Sequence, residues 1–180
     1  ERIEDRDAGA PDAKVDLEGA LPLAEGRGAA GGHADMPAAG EVEGEAAVCL
    51  ATVGLSNGER VGQRCREPVP LPGTINTLVH VSRPLTEAAL IETVSIATQA
   101  RTAAVLDARV LRAGVPVTGT GTDCIVVAAP LGDGAARFAG LHTAIGEAVG
   151  DAVYRAIREG AEVWQRDFAA AAPEVKPAAE

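Results

Sequence analysis

Residues 117–129 read VTGTGTDCIVVAA, and this stretch carries most of the information about the fold and about a binding site. Three threonines alternate with two glycines, an aspartate follows, and an apolar run of strand length begins at once. Glycine allows a ligand or another backbone to approach closely, while hydroxyl and carboxylate groups supply donors and acceptors. The pattern predicts a binding loop supported by a buried strand. A tight loop that binds nothing would have the same composition.

Two other runs, 46–53 and 73–81, are apolar or β-branched and also predict buried strands. The run 123–129 is fully apolar after its aspartate, so we expect this strand at the centre of the sheet. These three runs provide the strands of the predicted sheet.

Two long helices are predicted from apolar residues at three- and four-residue spacing. The first runs from an N-cap at Thr86 to about residue 107 and has the right length for a crossover between parallel strands. The second covers about residues 143–169. The predicted fold class is α/β or α+β, a single layered domain in which two long helices pack on a small mixed sheet of apolar strands.

Charge is distributed unevenly along the 180-residue chain, whose formal net charge is −10. Residues 1–45 contain twelve acidic and four basic side chains and are rich in Gly, Ala and Pro. We expect them to be a poorly ordered acidic leader, residues 46–170 to form the domain, and residues 171–180 to be a frayed tail.

The composition also argues against several classes of partner. Beyond residue 45 the chain is nearly neutral and no basic patch is evident, so we expect no nucleic-acid partner. No run of about 18 apolar residues predicts a membrane-spanning helix. The charged first residues do not resemble a signal peptide, so the expected location is the cytoplasm.

The three cysteines are widely spaced, and no pair has the spacing of a metal-binding motif. Cys49 and Cys124 lie in apolar runs and are predicted to be core thiols. No His, Cys and Asp cluster at ligand spacing is present, so no metal site is expected.

Five sequence blocks together resemble the adenosylcobinamide amidohydrolase (CbiZ) family, and the resemblance covers roughly residues 47–160. The blocks, in order, are 52–57 (TVGLSN), 73–76 (GTIN), 97–104 (ATQARTAA), 118–123 (TGTGTD) and 139–147 (AGLHTAIGE). The resemblance implies hydrolysis of one amide of adenosylcobinamide to adenosylcobyric acid and 1-amino-2-propanol, a step of corrinoid salvage for cobalamin synthesis. It implies no protein-bound cofactor, because the corrinoid is the substrate.

Two departures from the family pattern leave alternatives open. The family usually has Thr-Glu-Ala-Lys on the first helix, where this chain has Gln99 and Arg101 in place of the carboxylate and the lysine. The glycine-rich segment that normally begins the family domain is replaced by the acidic leader. The alternative functions are a catalytically impaired corrinoid-binding module and a structural subunit.

Amide hydrolysis needs an activated nucleophile, oxyanion stabilisation and a proton for the departing amine. We predict that Asp123 activates water or orients a base, that His142 moves protons, and that Asn76 donates to the oxyanion. Each residue has a structural alternative: Asp123 can cap its own loop, His142 can cap the second helix, and Asn76 can tie down a strand end. The hypothesis requires Asn76 and Asp123 to meet in a cleft wide enough for a corrin ring.

The predicted substrate-binding residues come from the same blocks. Because threonine without an adjacent base is a weak nucleophile, binding is the favoured role for the threonines. Gln99 and Arg101 lie two apart on a helix and point in different directions, so at most one faces the site, and Gln99 is favoured. The predicted binding residues are Gly73, Thr74, Gln99, Thr118, Gly119, Thr120, Gly121 and Thr122.

The second helix contains Gly146, Gly150 and Gly160, which weaken an isolated helix. They indicate that another backbone packs closely against it. A homo-oligomer through this C-terminal helix is one possibility, and packing within a monomer core is the other.

Overall fold

A computed structural model describes residues 34–66, 68, 71–169 and 175–177 of the chain. The described elements, in chain order, are β1 (Ala34–Val42), β2 (Glu45–Val53), β3 (Gly58–Glu59), β4 (Ile75–Val81), α1 (Glu87–Asp107), β5 (Val110–Arg112), β6 (Val115–Pro116), β7 (Gly119–Thr120), β8 (Cys124–Ala128), α2 (Ala144–Asp167) and β9 (Val175–Pro177).

The main sheet contains four strands in the order β1-β2-β4-β8. β2 is antiparallel to both of its neighbours, β1 and β4, whereas β4 and β8 are parallel. The prediction of one small mixed sheet with two long helices is therefore confirmed. The helix α1 lies between β4 and β8 in the chain, as expected for a crossover between parallel strands.

One predicted strand position is wrong, because β8 lies at an edge of the main sheet and not at its centre. Its side chains alternate between exposed and half-buried, and Val126 is 50% exposed. The apolar sequence of β8 suggests burial on both faces of the strand. In the structure one face of β8 contacts α1 and the other is directed to solvent.

The main sheet also begins earlier in the chain than the boundary predicted at residue 45. Residues 34–42 form β1 and pair along their whole length with β2. At the other end, residues 175–177 of the predicted tail pair with β5. The predictions for residues 1–33, 170–174 and 178–180 lie outside the described residues.

The two faces of the main sheet differ sharply. Alternate residues of β2 and β4 are buried against the helices, and both strands contact α2. The opposite face, which we call the open face, is uncovered in the described structure. It presents three rows of paired residues: Val48–His80–Ala128, Leu50–Leu78–Val126 and Thr52–Asn76–Cys124.

Threonine caps both helices, and both helices start at the same end of the sheet. Thr86 accepts a hydrogen bond from the Ala89 N–H, which confirms the predicted N-cap, and Thr143 accepts one from the Gly146 N–H. Thr143, not His142, is therefore the side chain that caps α2. Within the described ranges, no helix is long and apolar enough to cross a bilayer.

Packing within the chain accounts for two of the three glycines of α2. A Cβ atom on Gly146 would overlap the carbonyl oxygen of Gly140, and one on Gly160 would lie 2.5 Å from Val53 Cγ2. A Cβ on Gly150 would be at an ordinary 3.8 Å from Ile96 Cγ2. The oligomer through this helix stays a prediction, because these contacts require no second copy.

Gly160 and Gly150 provide a matched test of this packing. We expect Gly160→Ala to lower the free energy of unfolding by about 1–3 kcal/mol, because the added methyl group collides with Val53. Gly150→Ala should raise it by up to about 1 kcal/mol, because alanine favours the helix and has room. Urea unfolding of both variants measures the difference. Equal effects of the two substitutions would contradict the close contact at Gly160.

Candidate functional site

Four segments of the chain converge where β4 and β8 begin, which we call the Asp123 end of the sheet. They are residues 54–57 after β2, residues 73–76 at the start of β4, Arg101 on α1, and residues 118–123 before β8. Four of the five sequence blocks thus meet at one end of the main sheet.

Asp123 organises this end through four hydrogen bonds. Its Oδ1 accepts from the Ile75 N–H at 3.2 Å and from Thr120 Oγ1 at 2.5 Å. Its Oδ2 accepts from Arg101 Nη1 at 2.6 Å and from the Thr120 N–H at 3.0 Å. A carboxylate has about four acceptor positions, so those of Asp123 are all in use. The side chain is only 10% exposed and ties α1, β4 and the threonine loop together.

The threonine loop is also bonded directly to the segment that leads into β4. Thr74 Oγ1 donates to the Thr122 carbonyl at 2.8 Å, and Thr122 Oγ1 donates to the Gly73 carbonyl at 3.0 Å. Asn57 Nδ2 reaches Thr122 Oγ1 at 3.5 Å. These reciprocal bonds fix the two loops to each other, so the predicted binding residues Gly73, Thr74 and Thr122 form one cluster.

Thr118 lies on the other side of this loop and is nearly buried. Its Oγ1 accepts from the Val61 N–H at 2.8 Å, and its own N–H donates to the Glu59 carbonyl at 2.8 Å. Both bonds anchor the loop to the segment after β3. The hydroxyl of Thr118 is therefore engaged in holding the loop.

Two positions of the site require glycine because there is no room for a Cβ atom. A Cβ on Gly119 would overlap Asp123 Oδ2 and would lie 3.5 Å from the Arg101 guanidinium carbon. One on Gly73 would lie 2.8 Å from both Asn57 Oδ1 and the Gly54 carbonyl oxygen. Gly121 differs, because nothing lies within 4 Å of its Cβ position. Gly119 thus makes room for the ion pair, and Gly73 for the contact between the two loops.

Asn76 is the first residue of β4 whose side chain lies on the open face. Its Nδ2 donates to Thr52 Oγ1 on the neighbouring strand at 3.0 Å. Cys124 pairs with it on the other side. Cys124 is exposed, so the prediction of a core thiol is wrong for this residue. It is confirmed for Cys49, where burial raises the pKa of the thiol to about 12.

On α1, Arg101 and not Gln99 reaches the cluster. The Gln99 side chain is exposed, and its Nε2 donates to Ser95 one turn earlier on the same helix. Arg101 Nη1 pairs with Asp123, and both side chains are mostly buried. The preference for Gln99 over Arg101 at this end of the sheet is therefore not supported by their positions.

His142 lies at the opposite end of the sheet from Asp123. Gly40 of β1 pairs with Ala47 of β2, and Ala47 in turn pairs with Val81 at the end of β4. Gly40 also packs against the backbone of Ala148 in α2. The start of α2, which His142 precedes, is therefore near the end of β4. Since β4 spans seven residues, about 20 Å separates the two ends. The three predicted catalytic residues do not form a single cluster.

The open face continues from Asn76 as an apolar surface. Leu50, Leu78 and Val126 pair across three strands and are 41%, 44% and 50% exposed. Single exposed apolar residues are common, but three in one row make a contiguous patch of the kind that marks binding surfaces. The described residues include no group of His, Cys, Asp and Glu suited to hold a metal ion.

Comparison with known families agrees with this arrangement. The family model described as adenosylcobinamide amidohydrolase matches residues 32–168. The chain belongs to this family. The matched range begins just before β1 and ends just after α2, so it includes the whole main sheet and both helices.

A curated family relative, an adenosylcobinamide amidohydrolase of Halobacterium salinarum, is 35% identical over 128 residues. The match covers 66% of this chain and 51% of the relative, so the chain spans about half the length of the curated relative that it matches. No solved structure matches the chain.

The Arg101–Asp123 pair can be compared with an exposed pair in the same protein. Removing one partner of a mostly buried pair leaves an uncompensated charge, so we expect Arg101→Met to lower the free energy of unfolding by about 3 kcal/mol. Arg158 pairs with Glu162 at 2.9 Å on the surface of α2, with side chains 34% and 55% exposed. Arg158→Met should cost about 0.5 kcal/mol or less. If denaturant unfolding gives similar losses of unfolding free energy for the two variants, the Arg101–Asp123 pair does not stabilise the fold more than a surface pair does.

Proposed function

We propose that this chain hydrolyses the aminopropanol amide of adenosylcobinamide, giving adenosylcobyric acid and 1-amino-2-propanol for cobalamin synthesis. Membership of the family supports the reaction class. The observation that carries the proposal is the convergence of four sequence blocks at the Asp123 end, directly beside the open apolar face.

The open face has the shape and chemistry to hold a flat macrocycle. Four strands about 4.8 Å apart give a width of about 14 Å, and successive side-chain rows on one face are about 7 Å apart. The row Leu50–Leu78–Val126 supplies apolar contact, and the row Thr52–Asn76–Cys124 supplies polar groups on the side toward Asp123. A corrin ring on the apolar row would direct an amide side chain toward Asn76 and the threonine loop.

The threonine loop supplies a hydroxyl with a base beside it. Thr120 Oγ1 donates to Asp123 Oδ1, so the adjacent carboxylate that threonine chemistry needs is in place. In the proposed reaction Thr120 Oγ1 attacks the amide carbonyl carbon, and its proton passes through Asp123 to the departing amine nitrogen. Water then hydrolyses the ester that remains on Thr120.

Asn76 is assigned the role of oxyanion donor in this scheme, which requires the substrate amide to reach across the strand ends, because Asn76 lies on the open face and Asp123 pairs with Arg101 of α1. Its Nδ2 carries two hydrogens, and one of them is used by Thr52. The other is available to a substrate oxygen on the open face. Arg101 acts as a positioning residue, because its ion pair holds the carboxylate against Thr120.

Incubation with adenosylcobinamide tests the reaction directly. We expect adenosylcobyric acid and 1-amino-2-propanol in equal amounts, separated by chromatography and identified by mass. Corrinoid binding without product would favour the catalytically impaired binding module. In that case Gln99→Glu should not restore turnover, because Gln99 contacts Ser95 and not the Asp123 cluster.

Two substitutions at Thr120 test the nucleophile. Thr120→Val keeps the shape of the side chain but removes the hydroxyl, so we expect kcat to fall by about 100-fold or more. Thr120→Ser keeps the hydroxyl and should retain kcat within about tenfold. Corrinoid affinity, followed by absorbance, should change little in either variant. Undiminished turnover in Thr120→Val would assign the attack to water and leave Thr120 a binding role.

The exposed thiol of Cys124 reports on the proposed corrinoid position. A neutral alkylating reagent should modify Cys124 readily and leave the buried Cys49 thiol unmodified. Saturating adenosylcobinamide should slow alkylation of Cys124 about tenfold or more, because the ring would cover the open face. Cys65 lies away from that face and serves as the internal control in peptide mass mapping. Equal rates with and without corrinoid would place the ligand elsewhere.

A further inference from the structure

A cleft lined by arginines lies beside β3. Its volume is about 210 Å³, and it is bounded by the segment after β3 and the turn between β5 and β6. Four of its lining residues are arginines and one is a carboxylate: Arg60, Arg64, Arg66, Arg112 and Glu59. We call it the arginine cleft.

The single carboxylate that lines the arginine cleft, Glu59, forms an ion pair with the most buried arginine, Arg112. Arg112 is 2% exposed, and its Nη1 pairs with Glu59 Oε1 at 2.9 Å and with the Gly58 carbonyl at 3.1 Å. The other oxygen of Glu59 accepts from the Cys65 N–H at 2.8 Å. Glu59 therefore neutralises Arg112 and orders the loop, and three further arginines remain in the described lining of the cleft.

Those three charges have no carboxylate partner among the described residues. Arg60 Nη1 donates to the Pro116 carbonyl at 3.1 Å, and Arg64 and Arg66 are exposed at the rim. Every other ion pair in the described ranges joins an arginine to an acidic residue elsewhere on the surface or at the Asp123 end. Like charges around a cleft repel one another and focus a positive field, which a bound anion relieves.

We propose that the arginine cleft binds a phosphate-bearing small molecule. A guanidinium group presents a planar fork of donors that matches phosphate oxygens in pairs. A phosphate group carries about −1.5 to −2 charges at neutral pH, whereas a carboxylate carries about one, so three surplus cations favour phosphate or diphosphate. The cleft is smaller than the roughly 300 Å³ of a typical small-ligand pocket, so it suits an anionic group and not a whole corrinoid.

The local clustering corrects the expectation that no basic patch is present. A nearly neutral total beyond residue 45 conceals four arginines gathered within one small cleft. The cleft is separate from the proposed amide-hydrolysing site, since none of its lining residues belongs to the four segments that meet at the Asp123 end.

Inorganic pyrophosphate is the probe for this site. We expect saturable binding to the full chain by calorimetry at low ionic strength, together with slower alkylation of Cys65, which lines the cleft. The paired substitutions Arg64→Gln and Arg66→Gln should weaken affinity at least tenfold, and their exposed side chains make misfolding improbable as a cause of the loss. The control pair, Arg137→Gln and Arg158→Gln, makes the same change in net charge outside the cleft and should change affinity less than twofold.

Three outcomes would overturn the proposal: no saturable binding of pyrophosphate, an equal loss in the control pair, or citrate binding as tightly as pyrophosphate. The last outcome would indicate a carboxylate site. Hydrolysis of adenosylcobinamide by the Arg64→Gln and Arg66→Gln variant should match that of the unaltered chain, so failure of the anion site and failure of the proposed reaction are separately detectable.

Discussion

The carboxylate of Asp123 is the constraint on which the rest of this end of the molecule depends. It joins the first backbone N–H of β4, the guanidinium of Arg101 and both donors of Thr120. Each partner comes from a different segment, so the strand, the helix and the loop are held in one arrangement. Gly119 is needed because any side chain there would overlap the carboxylate. Packing around one acid thus explains Gly119 and Thr120 of this loop, whatever ligand the loop serves.

The helices were predictable from the sequence because their signals are local, whereas the strand order was not. Thr86 and the apolar spacing after it fixed α1 to within a residue. The apolar run of β8 suggests a central strand, yet β8 is an edge strand and its Val126 lies exposed on the open face. β1 escaped prediction because Pro37 and Gly40 are rare inside strands. An edge strand tolerates the proline, and the glycine lets the strand approach the backbone of α2.

The site could be predicted in part, since sequence blocks reveal which residues matter together but not where they lie. The loop containing Asp123 and the segment containing Gly73 do meet. His142 does not join them, because the block that contains it precedes a helix starting at the other end of the sheet. Helical spacing shows that the side chains of Gln99 and Arg101 diverge, but it does not show which of the two faces the strands. Only the pairing with Asp123 decides that question.

The charges of the two proposed sites match their different ligands. At the Asp123 end the arginine and the aspartate neutralise each other, and the adjoining open face is apolar, which suits an uncharged amide on a large ring. Among the residues that the structure describes, only one of the four arginines of the cleft has a carboxylate partner, which suits an anion. Glu59 and Arg60 line this cleft, and the Glu59 carbonyl and the Val61 N–H bond to Thr118 of the threonine loop. The segment 59–61 therefore contributes to the arginine cleft and also anchors the threonine loop that holds Asp123.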